Sequence, residues 1–341
     1  MANEVVVHIA SYLEPEHVDT IRRVDPRLDV LYDPALLPAP RYIADHGGGP
    51  LTRTAEQEQR YRAMLARAEV IFDFDRGHAT DLREVAPRLK WLQATSAGIG
   101  QYVKKNGLDK TGVVFTTSSG VHARPLADFC TMAMLMFAKD YFGMQRDQRA
   151  RHWERTCAED LSGKTLAIVG VGNVGLEVAR QAKCFDMRVL GIARATTEAP
   201  NVDEFYTRTQ LRDMLPQADY LVLIAPHTPE TENMIGGAEL ALMKPTAVFI
   251  NIARGTLVDE DALIAALREG RLAGAALDVF RTEPLPPESP LWDMPNVIVS
   301  PHSASTVRKE NARITALFCE NLRRYLDGQP LLNVLDTNLL Y

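Results

Sequence analysis

Positive charge is in short supply. Across 341 residues, 38 Lys and Arg stand against 44 Asp and Glu, a formal net charge of −6. A chain without a basic excess has no electrostatic footprint for nucleic acid, so no nucleic-acid partner is expected. Long apolar runs are also missing. Residues 129–138 form a conspicuous hydrophobic stretch, well short of the roughly 20 residues a membrane helix needs, so no membrane association is expected. Cysteine is scarce: Cys130, Cys157, Cys184 and Cys319 are all there are, and no two form a C-x-x-C pair. That argues against a disulfide framework or a zinc ribbon, and no metal is expected. All four lie in helix-like segments and are expected to be buried, reduced thiols. The first residues read as a strand and not as a signal peptide, so the expected location is cytoplasmic. No internal repeat or low-complexity tract interrupts the pattern.

What is present is an ordinary globular composition, 46% hydrophobic and 24% charged. At this length two domains are the default expectation. Residues 5–9, 28–32, 70–74, 91–95 and 113–116 read as short strands, with helical stretches such as 55–67 and 81–86 between them. This alternation is the rhythm of an open parallel sheet covered by helices. Residues 33–50, with four prolines and Gly47-Gly48-Gly49, read as a long inserted loop. A long helical region over 122–153 follows. A second α/β rhythm then places strands at 188–192, 220–224, 247–251, 274–278 and 297–300, and a final helix at 304–326.

Between these two rhythms lies Thr-Leu-Ala-Ile-Val-Gly-Val-Gly-Asn-Val-Gly-Leu-Glu-Val-Ala-Arg, residues 165–180. An apolar strand runs through Gly170, Gly172 and Gly175, a G-x-G-x-x-G pattern, into an amphipathic helix. In a dinucleotide-binding βαβ unit the first glycine permits the tight turn and the second lets backbone approach a pyrophosphate. The third allows close packing of helix on strand. Free amides at the helix N-terminus attract the phosphates. Because such a fold starts at its glycine turn, a turn in mid-chain implies that the dinucleotide domain is inserted into another domain. An NAD site places a carboxylate about 20 residues beyond the glycines, on the ribose diol. Here the second strand ends in Ala193-Arg194-Ala195-Thr196-Thr197, with no acid. Ala193 removes the repulsion of a 2′-phosphate, Arg194 offers it a charged planar fork, and Thr196 adds a hydroxyl donor. The expected cofactor is NADP(H) in preference to NAD(H).

Three polar groups stand at successive strand ends: Asn251-Ile-Ala-Arg254-Gly255, Asp278-Val-Phe-Arg-Thr-Glu283-Pro284 and Ser300-Pro301-His302. In open α/β sheets ligands bind outside the carboxyl ends of strands. Arginine can bind a carboxylate bidentately and polarise a neighbouring carbonyl, and histidine can deliver a proton to the developing alkoxide while a glutamate holds the imidazolium.

These residues give the chain a resemblance to the D-isomer-specific 2-hydroxyacid dehydrogenases, the family that includes glyoxylate/hydroxypyruvate reductases. The matching segments are Ala94-Thr-Ser-Ala-Gly98, Gly120-Val-His, Gly170-Val-Gly-Asn-Val-Gly175 and His227-Thr-Pro-Glu-Thr231. Met243-Lys-Pro, Asn251-Ile-Ala-Arg-Gly255, Ala276-Leu-Asp-Val-Phe280, Glu283-Pro284, Leu291-Trp292 and Pro301-His302 continue the series in order. The resemblance implies a catalytic set of Arg254, Glu283 and His302. It implies that the amides of Ser96, Ala97 and Gly98, with Arg254 and His302, bind the substrate. Asn173 and Val174 fall at the pyrophosphate, and Pro226, Ile252, Arg254, Asp278 and His302 also fall among the cofactor contacts. The implied architecture is two doubly wound parallel-sheet domains, Rossmann-like and flavodoxin-like. A substrate domain of residues 1–120 plus 303–341 receives a dinucleotide domain of residues 121–302. Reduction of a small 2-oxo acid to the D-2-hydroxy acid, and a homodimer built on the cofactor domains, complete the implication.

The chain departs from the family at Ser303-Ala304-Ser305, where glycines are common, and in the length of the 33–50 loop. Formate dehydrogenases share the architecture but place a glutamine where Glu283 stands. Phosphite dehydrogenases use a lysine in the substrate loop, and residues 94–102 contain none. Corepressors of the family keep the triad and use the nucleotide as a ligand. They are expected to sense NAD(H), against which Ala193-Arg194 stands.

Overall fold

Short runs of β-branched and leucine residues, buried on both faces, dictate parallel sheets rather than surface hairpins. The computed structural model of the chain describes residues 4–194 and 197–340. It divides into two compact units, one from residues 1–121 and 306–341, the other from residues 122–305. The second unit is therefore inserted into the first, in the doubly wound α/β class expected.

The first unit holds five parallel strands: β1 (Val5–Ile9), β2 (Leu28–Leu31), β3 (Val70–Phe72), β4 (Trp91–Gln93) and β5 (Val114–Thr116). Their order is β2-β1-β3-β4-β5, the flavodoxin-like arrangement. Alternation along β3 serves two cores at once. Val70 and Phe72 pack with Ile314 and Phe318 of the terminal helix Glu310–Leu326, while Ile71 packs with Leu65 and Leu92 on the other face. The helix Ala55–Arg67 starts on a capping box, Thr54 with Gln57. The loop expected over 33–50 contains a 3₁₀ turn, Pro34–Leu36. Buried Asp45 ties it down, accepting from Arg41 Nε at 2.7 Å and from the amides of Gly47 and Gly48 at 3.2 and 3.0 Å.

The second unit holds seven parallel strands: β6 (Thr165–Val169), β7 (Arg188–Ile192), β8 (Glu204–Tyr206), β9 (Tyr220–Leu223), β10 (Val248–Asn251), β11 (Gly274–Leu277) and β12 (Val297–Val299). The order β12-β11-β10-β9-β6-β7-β8 reverses at β6, the Rossmann pattern with one strand added at the edge. Leu166 and Ile168 face one core cluster, and Ala167 and Val169 the other.

Four local expectations are corrected. The helical region over 122–153 is two helices, Ala123–Ala138 and Tyr141–Ala150, because Asp140 takes a left-handed conformation and caps Gly143 N at 3.1 Å. The final helix begins at Glu310, not at 304. Cys157 lies outside any helix, and both it and Cys184 are exposed, while Cys130 and Cys319 are buried free thiols. Cys184 caps the helix Asn173–Lys183 and Cys157 sits among charged residues, so neither position faces a core. Strand β8 escaped notice because three residues carry no periodicity. No helix among the described residues is long and apolar enough to cross a membrane.

Candidate active site

The glycine turn follows β6. Gly170 sits at φ +113°, where a Cβ would lie 2.7 Å from Ala225 N, so only glycine is accommodated. A Cβ at Gly175 would lie 2.5 Å from Gly170 O, which explains how the helix Asn173–Lys183 packs so closely on its strand. At Gly172, the N-cap of this helix, a Cβ would meet nothing within 4 Å. Two glycines serve packing, and the one between them leaves open space at a helix N-terminus. That cradle fits a dinucleotide pyrophosphate, with Asn173 and Val174 in the first turn. Ala193 is half-buried and Arg194 exposed at the end of β7. Thr196 lies outside the described residues. Pro226, in the loop after β9, is exposed, and Ile252 is buried after β10.

The triad stands on three neighbouring strands. Arg254 follows β10, half-buried, and its Nη1 donates to Ala253 O at 2.6 Å. Buried Asn251 shapes this turn: its Oδ1 accepts from Ala253 N at 3.0 Å and its Nδ2 donates to Arg254 O at 3.2 Å. Gly255 holds the turn against the next loop, since a Cβ there would fall 1.9 Å from Phe280 C. Burial draws the Arg254 guanidinium below its ordinary pKa, and the charges of Glu283 and Asp278 pull it back up.

Glu283 reaches back to its own loop, where Oε1 accepts from Phe280 N at 3.0 Å. Its Oε2 lies 2.7 Å from His302 Nδ1. Burial raises the pKa of Glu283, but the bonds from His302 and Phe280 and the charges of His302 and Arg254 outweigh it. The carboxyl ends below its ordinary value. His302 follows β12 with a left-handed φ of 52°, an uncommon conformation for a side-chain-bearing residue. Its amide donates to Asp278 O at 2.9 Å. Asp278, 2% exposed, has a pKa raised by burial against the pull of its hydrogen bonds from Ser300, Ala304 and Ser303 and the charge of His302.

The structure therefore brings Arg254, Asp278, Glu283 and His302 to the carboxyl ends of β10, β11 and β12, next to one another in the sheet. Ser96, Ala97 and Gly98 form an exposed loop after β4, in the first unit. Sequence reasoning assigned no role to Asn251, although a polar residue closing a buried strand was the available signal.

Comparison with known proteins follows the same lines. Residues 131–304 match the family model described as D-isomer specific 2-hydroxyacid dehydrogenase, NAD binding domain. The chain belongs to this family. It is 34% identical over 263 residues to a glyoxylate reductase of Korarchaeum cryptofilum, covering 75% of this chain and 79% of the relative. It is 36% identical over 283 residues to glyoxylate/hydroxypyruvate reductase B of Pectobacterium carotovorum, covering 81% and 88%. Among solved structures it resembles a D-isomer specific 2-hydroxyacid dehydrogenase from Xanthobacter autotrophicus in complex with NADPH and MES. That match has a TM-score of 0.80 and 28% identity, and covers 100% of both chains. This D-2-hydroxyacid dehydrogenase is thus an NAD(P)-dependent oxidoreductase, and the glycine turn lies within the matched NAD-binding domain.

Proposed function

We propose that the protein reduces a small 2-oxo acid, of the glyoxylate and hydroxypyruvate class, to the D-2-hydroxy acid with NADPH in preference to NADH. The His302–Glu283 pair at 2.7 Å, one strand from Arg254, carries this reading. When bound, the dinucleotide supplies a hydride to the keto carbon. Within the inserted unit Arg254 is assigned to the substrate carboxylate and to polarising the carbonyl, and within the first unit the amides of Ser96, Ala97 and Gly98 are assigned to substrate binding. His302 Nε2 gives its proton to the carbonyl oxygen as the C–H bond forms, so C=O becomes CH–OH. Glu283 holds Nδ1–H and compensates the imidazolium charge. Substrate recognition is assigned to the unit formed by both chain ends, cofactor binding to the inserted unit, and the site of action to the cytoplasm.

The cofactor preference rests on Ala193 and Arg194. Steady-state kinetics with glyoxylate, hydroxypyruvate and bulkier 2-oxo acids, run with both cofactors, test both parts. NADPH is expected to win, and Arg194→Ala to lower kcat/KM for NADPH by about tenfold while leaving NADH nearly unchanged, the loss of one charge-assisted phosphate contact. An unchanged cofactor ratio would refute the phosphate clamp. Tight NADPH binding without turnover of any 2-oxo acid would favour the corepressor-like reading.

A homodimer through the cofactor-binding unit is part of the same proposal. Its helices Ala123–Ala138 and Tyr141–Ala150, and the residues after them, expose Met132, Tyr141, Met144 and Trp153, the last 94% accessible. Four large apolar side chains exposed along these helices and just beyond them support a partnering surface there. Sedimentation is expected to give twice the chain mass of 37.9 kDa, and Trp153→Glu with Met144→Glu to give the single-chain mass.

A further inference from the structure

Family membership and the proposed mechanism leave unexplained how His302 is kept in a left-handed conformation on an exposed loop. The answer lies in one buried oxygen. Asp278 Oδ1 accepts three hydrogen bonds: from Ser300 Oγ at 2.6 Å, from Ser303 N at 2.8 Å and from Ala304 N at 2.9 Å. These donors flank His302 on both sides. The main chain adds a fourth tie, His302 N to Asp278 O at 2.9 Å, and Ser300 N to Leu277 O at 2.9 Å fixes the strand below.

A left-handed conformation in a residue with a side chain costs on the order of 1 kcal/mol and persists only where the surroundings impose it. Here the imposition is specific. The two amides after His302 can reach a single oxygen only if the chain reverses at His302. The Ser300 hydroxyl is an O–H donor on the same oxygen, and it selects the rotamer of the Asp278 carboxylate. None of the three bonds uses Oδ2.

We infer that Ser300 is a positioning residue for proton transfer. Through Asp278 Oδ1 it sets the turn that aims the His302 imidazole. The inference rests on His302 being the proton donor. The positive φ falls on His302 and not on Ser303 or Ala304, so the next two residues need no glycine.

The test is Ser300→Ala beside Ser300→Thr, with two readouts. In the first, amide hydrogen exchange at Ser303 and Ala304 is followed by NMR in the enzyme without substrate. Ser300→Ala is expected to raise exchange at these two amides about tenfold, and Ser300→Thr to restore protection, as loss of one charge-assisted bond in a three-bond set predicts. In the second, Ser300→Ala is expected to lower kcat for 2-oxo-acid reduction about tenfold, with KM for NADPH little changed and Ser300→Thr restoring the rate. Unchanged exchange in Ser300→Ala would overturn the clamp. Raised exchange with unchanged kcat, or loss of melting temperature alone, would show a merely structural serine and overturn the positioning role. Should the wild type reduce no 2-oxo acid, the functional proposal fails, and the exchange measurement still decides the clamp.

Discussion

His302→Ala abolishes reduction while NADPH still binds. General acid catalysis by a placed side chain is worth about a hundredfold to ten-thousandfold, and the alanine variant leaves only the weakly acidic hydroxyls of Ser303 and Ser305 beside it, so the loss is expected at the upper end. The cofactor cradle after β6 is built from Gly170, Gly172 and Gly175 and does not depend on the imidazole. Fluorescence titration should therefore give an NADPH Kd within about threefold of wild type. A variant retaining full turnover would remove His302 from the mechanism. The pH dependence follows from the same roles. Reduction takes up one proton per turnover, so rising pH shifts the equilibrium towards oxidation of the hydroxy acid. On the acid side Glu283 sets the limit. Its carboxyl is held below the ordinary 4.5, so it stays ionised at that value and above, and loss of activity from its protonation belongs below it. The linkage has the usual sign for a depressed carboxyl: the stabilising contribution is complete above the unfolded-state value and disappears as pH falls through the folded one.

Much of this site is legible in the chain because each part is a local pattern. Gly170, Gly172 and Gly175 state a turn, an approach and a packing contact within six residues. Arg254, Glu283 and His302 each stand just beyond an apolar run, and parallel-sheet topology carries such positions to one edge. The parts that stay hidden depend on tertiary closure. Nothing in Ser300-Pro-His shows that the serine hydroxyl bonds a carboxylate 22 positions earlier. Nothing in Arg254-Gly255 shows that the glycine exists because Phe280 backbone lies against it. Cys157 and Cys184 fail for a related reason: helix-like spacing does not say where a helix stops, and Cys157 lies outside any helix while Cys184 stands at the end of one. The break at Asp140 was readable in principle, as an aspartate three residues ahead of Gly143, yet the apolar run before it carries the helical pattern straight through.

Arg254→Lys is the second variant expected to be severe, although it conserves charge. The guanidinium is half-buried beside two carboxylates, Glu283 and Asp278, with Nη1 already committed to Ala253 O. In the proposed function this side chain offers the substrate a planar fork, matched to a carboxylate and its adjoining carbonyl. A lysine ammonium supplies one charge on a flexible stem and cannot keep both the Ala253 bond and a bidentate contact. It is also more strongly hydrated, so the same burial costs it more. Removing one preorganised donor of this kind typically costs about a hundredfold to a thousandfold in kcat. The expected result for Arg254→Lys is a kcat/KM for glyoxylate reduced by that amount, with both kcat and KM affected because carboxylate anchoring and carbonyl polarisation fail together. A rise in KM at constant kcat would confine Arg254 to anchoring and leave the carbonyl to His302 alone. The neighbouring Asn251 separates fork from frame. Asn251→Ala releases Ala253 N and Arg254 O but leaves the guanidinium chemistry intact. Its loss of activity should therefore be smaller than that of Arg254→Lys, and it should be accompanied by a lower melting temperature.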